Sequence, residues 1–220
     1  MTKRKHSRQR RRTALTHQKL LDAAREVFAA KGMDLARIDE IAERADVGKG
    51  TFYYHFKGKG QLVRELIANL LGELIAAIEQ RCGDASDVQG LLRDLIGAHI
   101  DFFSSRWEDF VLYFQGRSDL TLQEGYSGIE TPFVEYLECI ERRLESVIRR
   151  RLPPTALRRV ACAIAGFLSG YYSFAAIDSS GEDVDEAFAS LRGAIVASLE
   201  RFIRTALAPI ELNNKLVSSD

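Results

Sequence analysis

The chain has 220 residues, 31 basic and 31 acidic side chains, and a mean hydropathy of −0.15. This length supports one large or two small domains with an adequate apolar core. No apolar run approaches the ~20 residues that cross a bilayer, and the basic N-terminus has no apolar segment behind it, which excludes a spanning helix and a signal peptide. Cys82, Cys139 and Cys162 form no C-x-x-C pair, which indicates packing thiols in a reducing compartment. We expect a soluble cytoplasmic protein without a membrane partner.

The zero net charge hides an asymmetry along the chain. Residues 1–65 hold 16 Lys/Arg against 8 Asp/Glu, whereas residues 66–220 hold 15 against 23. A basic N-terminal third on an acidic remainder is typical of a polyanion-binding module joined to a body that binds no polyanion. Residues 1–13 hold seven Lys/Arg and no acid, so we predict a disordered basic arm. Such an arm can neutralise phosphates or enter a minor groove; the alternative is a solubilising tail.

Residues 16–62 carry the patterns of three short helices. Thr16 is a suitable N-cap for a helix that ends at Gly32. From Ile38, apolar residues recur at helical spacing, and Asp46-Val47-Gly48 then favours a tight turn. A second short helix from Lys49 to about Phe56 places Phe52 and Phe56 inward, with donors, aromatic rings and small residues outward. This is the helix-turn-helix arrangement that fits the DNA major groove.

These residues also resemble the DNA-binding signature of the TetR/AcrR transcriptional regulators. The matching positions are Ile41-Ala42, Ala45, Val47, Lys49-Gly50-Thr51, Tyr53, Phe56, Lys59 and Leu62, with Leu21-Asp22-Ala23-Ala24, Val27-Phe28 and Gly32 upstream. The resemblance covers roughly residues 14–74. It implies an all-α fold, with a three-helix DNA-binding domain over 14–74 and a helical effector-binding and dimerisation domain over 75–208. The residues from 209 to 220 are predicted to be a flexible tail.

The resemblance also implies roles for individual residues in double-stranded DNA binding. Lys49 and Gly50 match base-edge positions, and Thr51 and Tyr54 add sequence information. Tyr53, His55 and Lys59 match phosphate contacts. Two further positions depart from the family pattern, because Arg37 replaces a capping Thr and Gly48 replaces a capping Ser or Thr. Asp46 stands where Gly is usual, which a turn tolerates.

The remainder of the chain is predicted to be helical. We place a helix from about Gly60 to Arg81 and others near 87–105, 107–116, 131–151, 154–177 and 184–206, with a loop at 117–130. Nine of the twenty aromatic residues fall between Phe102 and Tyr136. Most of these aromatics are core, yet the family's effector cavity is built from the middle helices, so we expect a largely apolar or aromatic small-molecule effector. The candidate pocket residues are His99, Phe102, Phe103, Trp107, Phe110, Tyr113, Phe114, Phe133, Tyr136 and Tyr171. His99 is also explained as a hydrogen-bonded helix histidine.

The last two helices are the expected dimer interface. Small residues beside apolar ones let helices approach closely, and in the family these two helices pair with their symmetry mates. The candidate residues are Ala163, Gly166, Phe167, Gly170, Leu191, Ile195, Leu199 and Phe202. A twofold dimer would present two recognition helices to the half-sites of a palindrome.

An enzyme is not expected. The four histidines form no helical metal-binding pair, and the chain has no G-x-S-x-G, no P-loop and no paired carboxylates in an apolar context. We predict no metal, no cofactor and no catalytic residue. The sequence therefore predicts a dimeric TetR-like regulator, with repression favoured, that an effector releases from a palindromic operator. The alternative is a DNA-bound adaptor of the same fold whose body binds a protein and no effector.

Overall fold

The structure, a computed structural model, describes residues 2–104, 106–118, 128–148, 152–178 and 184–206. Every regular element in these ranges is an α-helix, which confirms the all-α class. The elements are α1 (Thr2–Lys31), α2 (Ile38–Arg44), α3 (Lys49–His55), α4 (Lys59–Arg81), α5 (Val88–Phe103), α6 (Trp107–Ser118), α7 (Glu130–Val147), α8 (Pro154–Asp178) and α9 (Val184–Ala206).

Helices α1 to α3 form the N-terminal domain around a small apolar core. Phe28 from α1, Ile41 from α2 and Phe52 from α3 are all fully buried there. Gly32 follows α1 with φ +83°, a left-handed angle that glycine adopts without a Cβ clash, and its N–H donates to Phe28 O at 2.8 Å. The predicted end of the first helix is therefore confirmed.

The start of α1 corrects two predictions. The helix begins at Thr2 rather than at Thr16, so residues 2–13 are helical and not a disordered arm. Lys, Arg and Gln are good helix formers, and this stretch contains no Gly or Pro. A helix that is already nucleated by the packed residues downstream can therefore extend through the basic run despite its charge repulsion.

Helix α4 connects the two domains. Its buried residues face neighbours on several sides, because α4 packs against α1, α5, α6 and α7. Helix α9 packs against α5 and α8, and α8 packs against α7, which completes the C-terminal domain. The helix α6 also packs against α1 and so reaches back to the N-terminal domain.

Other boundaries agree with the sequence within a few residues. Asp87 caps α5 by accepting a hydrogen bond from Gly90 N at 2.8 Å, and α8 begins at Pro154 as expected. Helix α7 ends at Val147 instead of 151. Most of the predicted loop at 117–130 and the whole tail from 209 lie outside the described residues.

Candidate nucleic-acid interface and effector cavity

The turn between α2 and α3 orients the candidate recognition helix. Asp46 has φ +55°, the left-handed angle that Gly adopts at least cost and that Asp tolerates better than most residues. Val47 N donates to Ala42 O at 3.0 Å and closes the turn. Gly48 is the N-cap of α3 and offers no side-chain hydrogen bond, as its sequence predicts.

Helix α3 has one buried and one exposed face. Phe52 and Phe56 are buried, whereas the side chains of Tyr53 and Tyr54 are 50% and 75% exposed. The structure brings the predicted contact residues onto this outer face, with Gly48, Lys49 and Gly50 exposed and Thr51 and His55 half-buried. Because α3 is anchored by two aromatic side chains, its outer face is free to meet a ligand while its core packing stays intact.

Arg37 and Lys49 stand at the N-termini of α2 and α3. The Arg37 side chain has no acceptor and cannot cap α2 as Thr would. Instead, the Glu40 side chain accepts a hydrogen bond from the Arg37 backbone N–H, with Glu40 Oε2 at 3.0 Å. The exposed Lys49 ammonium lies 2.7 Å from Asp39 Oδ1. This ion pair lowers the pKa of Asp39 and raises that of Lys49. Sequence reasoning did not identify Asp39.

Lys59 does not lie free at the surface. Its ammonium donates to the carbonyl oxygens of Met33 at 2.7 Å, Asp34 at 3.0 Å and Ala36 at 3.2 Å. An ammonium has three N–H donors, so these bonds use all of them to hold the α1–α2 connection against the start of α4. The predicted phosphate contact would require Lys59 to exchange at least one of these partners.

A group of histidines joins α1, α3 and α4. His17 Nε2 contacts Glu65 Oε1, and the His17 ring stacks on Phe56 with 4.7 Å between centroids. The His55 ring lies 5.4 Å from that of His17. Burial, and secondarily the neighbouring His17, lower the pKa of His55. The contact of His17 with Glu65 links residues 48 positions apart, so no local pattern could reveal it.

A cleft of about 730 Å³ separates the N-terminal part of α1 from α3. Its described lining carries basic, amide, hydroxyl and imidazole groups, and none of these lining residues has a carboxylate. The lining residues are Gln9, Arg10, Thr13, Ala14, His17, Gln18, Tyr54 and His55. Together with the exposed face of α3 it forms a continuous surface suited to a phosphodiester chain.

The aromatic residues of the C-terminal domain surround a very small cavity. Its volume is about 10 Å³, enough for roughly one water molecule. The walls are His99, Ile100 and Phe103 from α5, Phe110 and Tyr113 from α6, and Leu168 and Ser169 from α8. Ile100, Leu168 and Ser169 were not predicted, because helical periodicity alone does not show which internal cavity a position faces.

His99 and Tyr136 form a buried polar pair beside this cavity. His99 Nδ1 lies 2.7 Å from Leu95 O, and His99 Nε2 lies 2.7 Å from Tyr136 Oη. A carbonyl can only accept, so Nδ1 carries the proton and Nε2 accepts from the tyrosine hydroxyl. Burial lowers the pKa of His99 to about 4, which keeps the ring neutral at pH 7. The pair is therefore a neutral, hydrogen-bonded part of the wall.

The other predicted pocket residues have different surroundings. Phe133 packs against Tyr113 with 5.6 Å between ring centroids. Phe102 faces an open groove of about 780 Å³ between α4 and α5, where Arg106 lies 4.5 Å from its ring centroid, and Phe114 is 37% exposed. Phe102, Phe114, Phe133 and Tyr136 do not line the internal cavity, so their place in an effector pocket stays a prediction. The side chains of Trp107 and Tyr171 lie outside the described part of the chain.

The predicted dimer residues divide into an exposed or half-buried group and a buried group. Gly166 is exposed, Phe167 and Phe202 are 39% and 44% exposed, and Ala163 and Gly170 are half-buried. Ile195 and Leu199 are only 5% and 3% exposed, so they pack within their own protomer and are corrected to core residues. The apolar stripe of α9 thus faces α5 and α8, because a helix buries its widest apolar face first. The Leu191 side chain is not described.

Comparison with known proteins decides the family. Residues 20–66 match the family model described as bacterial regulatory proteins, tetR family. The chain is 30% identical over 130 residues to an uncharacterised HTH-type transcriptional regulator, YvdT of Bacillus subtilis, across 59% of this chain and 67% of that protein. The chain belongs to the TetR family of bacterial regulatory proteins.

Two further likenesses extend this TetR assignment. The HTH-type transcriptional activator FasR of Mycolicibacterium smegmatis is 33% identical over 96 residues, but the match covers only 44% of each chain. The crystal structure of the transcriptional regulator FadR from Bacillus subtilis in complex with stearoyl-CoA superposes with a TM-score of 0.69 over 83% of this chain and 96% of that one, at 20% identity. The latter likeness shows that the TetR-type fold continues through the C-terminal domain.

These relatives are transcriptional regulators, and this TetR-family chain is one as well. Within the described residues there is no group of three or more His, Cys, Asp or Glu that could hold a metal ion. Among the same residues, no helix has both the length and the hydropathy needed to cross a membrane.

Proposed function

We propose that this TetR-family chain is a dimeric repressor that binds a palindromic operator and is released by a small, largely apolar effector. The observation that carries the proposal is the position of α6. Two of its residues, Phe110 and Tyr113, line the internal cavity, while two others hold the N-terminal domain. These are Asp109, whose Oδ1 lies 2.6 Å from Arg25 Nε, and Gln115, whose Oε1 accepts from Met33 N at 3.2 Å.

The DNA contacts are proposed for the exposed face of α3 and the cleft beside it. Lys49, Gly50, Thr51 and Tyr54 would meet base edges, because the first residues of a recognition helix reach them. Tyr53, His55 and the basic side chains of α1 would hold phosphates and fix the register. The proposed N-terminal domain spans residues 14–74, with the basic residues before it as an addition to its DNA surface.

The dimer is proposed to form through the outer faces of α8 and α9. A Cβ added at Gly166 or Gly170 would meet no atom within 4 Å, so these glycines border open space in the protomer. An exposed glycine within a helix costs about 1 kcal/mol relative to Ala, and close approach of a second helix explains why it would be tolerated. Phe167 and Phe202 add exposed aromatic surface to the same two helices.

The effector is proposed to enter between α5, α6 and α8. The wall is aromatic and aliphatic, and its polar members are internally hydrogen bonded, as His99 is to Tyr136 and Ser169 Oγ is to Gly166 O at 3.2 Å. A neutral apolar group suits such a wall better than a charged one. Because the cavity holds only about 10 Å³, an effector must displace Phe103, Phe110 or Tyr113.

Displacement of these rings would move α6 and thereby the two contacts to the N-terminal domain. The change would pass to α4 through Gly116, since a Cβ there would lie 2.7 Å from Ile67 Cδ1. The two recognition helices of the dimer would then be out of register with the half-sites. By thermodynamic linkage, the effector can lower DNA affinity only by the factor by which it binds the displaced form more tightly than the DNA-bound form. This factor is typically about 5- to 150-fold.

The test begins with selection of bound duplexes from fragmented genomic DNA by the wild type and by Tyr54→Ala, at two salt concentrations. The proposal expects one palindrome, recovered by the wild type and lost by the variant. Recovery of all sequences, with affinity that collapses in salt, would contradict sequence-specific regulation. Insertion of the palindrome between a promoter and a reporter then shows whether binding lowers expression, as proposed, or raises it.

Effector release is tested on that palindrome with a series of fatty acyl compounds of increasing chain length. The series starts from stearoyl-CoA because the FadR relative binds it, and free fatty acids and CoA alone are the matched controls. The proposal expects at least fivefold weaker DNA binding with one chain length and no effect of CoA alone.

The nearly filled core also supports a second function, that of a DNA-bound adaptor without an effector. In that case no member of the series would change DNA affinity or the melting temperature, while operator binding stayed intact.

A further inference from the structure

Lys49 does not stand alone at the start of the recognition helix. It is the first residue of α3, and its Nζ lies 2.7 Å from Oδ1 of Asp39 in the first turn of α2. The side chains are 57% and 50% exposed, so both are accessible from solvent. A base edge within reach of Lys49 is therefore also within reach of Asp39. Arg37 acts more weakly on both groups, and Tyr53 also acts on Lys49.

The pair presents a donor and an acceptor side by side. The ammonium keeps two N–H donors after binding Asp39, and an ionised carboxylate has about four lone-pair sites. In a guanine·cytosine pair, the guanine O6 acceptor and the cytosine N4 donor also stand side by side in the major groove, about 2.9 Å apart across their own hydrogen bond. The spacing of the protein pair matches the spacing of these two base groups.

We propose that Asp39 and Lys49 act as one base-recognition unit that selects a guanine·cytosine pair, with guanine on the Lys49 side. This inference rests on the proposed DNA-binding function and adds Asp39 to it as a specificity-determining residue. Lys49 donates to guanine O6 and N7, and Asp39 accepts from cytosine N4. The reversed pair would place the amino group against Lys49 and the keto oxygen against Asp39, and both contacts would be repulsive.

The same chemistry ranks the two adenine·thymine orientations. With thymine on the Lys49 side, Lys49 still meets the O4 acceptor and Asp39 meets the adenine N6 donor. However, the thymine methyl replaces the second acceptor that guanine N7 offers, and adenine N7 lies close to the carboxylate and repels it. This orientation should rank second, and the opposite orientation should be rejected together with the reversed guanine·cytosine pair.

The test measures the affinity of the wild type, Asp39→Ala, Lys49→Ala and the double variant for the selected palindrome. The operator position to examine is the one at which Lys49→Ala changes the base-pair preference. Duplexes with each of the four base pairs at this position, in both half-sites, are then compared. Glu26→Ala is the matched control. It also removes one acidic side chain from the N-terminal domain, but Glu26 pairs with Arg44 and not with Lys49. Thermal unfolding followed by circular dichroism confirms that each variant is folded.

The wild type should prefer the guanine·cytosine pair over its reverse by about tenfold per half-site, the lower part of the range for a good side-chain–base contact. Asp39→Ala should lose most of that preference while binding all four duplexes, and the double variant should lose no more than the larger single loss, because the two residues act together. Glu26→Ala should keep the full preference.

Two results would overturn the inference. If Asp39→Ala keeps the wild-type preference and binds all four duplexes more tightly by one factor, Asp39 acts only through its charge. If the losses of the two single variants add in the double variant, the two residues do not form a unit. Failure of the proposed function looks different, because the wild type itself would then select no palindrome.

Discussion

Arg25 of α1 and Asp109 of α6 form an ion pair across the junction of the two domains, with 2.6 Å between Arg25 Nε and Asp109 Oδ1. Asp109 is buried, and Arg106 Nη1 lies 3.6 Å from its second oxygen. Burial raises the pKa of Asp109, and the two guanidinium groups oppose that rise. A carboxylate held this way links the position of α6 to that of α1.

Asp109→Ala should lower the free energy of unfolding by about 1–3 kcal/mol, because it leaves Arg25 without its buried partner. It should also reduce the effect of an effector on DNA binding more than it reduces DNA binding itself. Urea unfolding and operator titrations with and without effector measure the two quantities. Asp101→Ala is the control, since Asp101 pairs with Arg81 at an exposed site and should change stability by less than about 1 kcal/mol. Equal effects of the two variants would contradict the linking role.

Acid should destabilise the protein through His99. The pKa of His99 is lowered to about 4 from 6.5, so between these values the unfolded chain binds a proton that the folded protein excludes. The free energy of unfolding should therefore fall as the pH drops from about 6.5 to about 4, by about 3 kcal/mol from this group. His99→Gln should lack this component, whereas Tyr136→Phe should keep it while losing about 1 kcal/mol at every pH. Urea unfolding over this pH range measures all three slopes, and a wild-type slope retained by His99→Gln would contradict the assignment.

Lys59 should matter for stability more than for phosphate binding. Lys59→Met removes three hydrogen bonds to the carbonyls of the α1–α2 connection and should cost about 1.5–3 kcal/mol. The slope of log affinity against log salt should remain that of the wild type. Lys57→Met, which removes an exposed lysine two residues away, should leave stability within about 0.5 kcal/mol. A salt slope reduced by about 0.9 in Lys59→Met would instead show that Lys59 neutralises a phosphate.

The basic part of α1 should contribute to DNA binding through charge. Replacement of Arg8, Arg10, Arg11 and Arg12 by Gln keeps good helix formers while removing the charges. Affinity should fall, and the salt slope should drop by about 0.9 for each phosphate that the variant no longer neutralises. Replacement of the same four residues by Lys should keep the slope. An unchanged slope in the Gln variant would remove the α1 extension from the DNA interface and leave it a solubilising segment.

Gly166 tests the dimer, because a larger side chain there would stabilise an exposed helix but would disrupt a close helix–helix contact. In a solvent-exposed helix Gly→Ala stabilises by about 1 kcal/mol, but at a close helix–helix contact the added methyl group separates the chains. Gly166→Leu should therefore raise the monomer fraction measured by light scattering at micromolar concentration. Gly72→Leu on α4 is the control, because a Cβ there also meets no atom within 4 Å and the residue lies outside the proposed interface. A monomeric wild type would contradict the dimer directly.

Local patterns in the sequence were sufficient to place most helix boundaries, although not the start of α1. Gly32, the Asp46-Val47-Gly48 turn and Pro154 each act within a few residues, since they set backbone angles or remove a donor, and the structure has helix boundaries at all three. The outward direction of Tyr53 and Tyr54 followed likewise, because helical periodicity assigns them the face opposite Phe52 and Phe56.

The tertiary structure decided which side chains meet across the chain. Gln115 and Met33 are 82 positions apart, and no spacing rule links an amide on α6 with a backbone N–H after α1. Lys59 was expected at a phosphate because it matches a phosphate-contacting position of the TetR/AcrR signature, but three carbonyls converge on it in the folded protein. Ile195 and Leu199 were expected at the dimer interface because they are apolar, and packing of α9 on α5 and α8 buries them within the protomer.

The sequence by itself thus determined most helix boundaries, the family resemblance and the exposed face of α3, since these depend on local backbone preferences, on periodicity and on the residues of one motif. The partners of Lys49, Lys59, His99 and Asp109 were decided only by the fold, because hydrogen bonds and ion pairs depend on distances of about 3 Å between groups that chain order does not bring together.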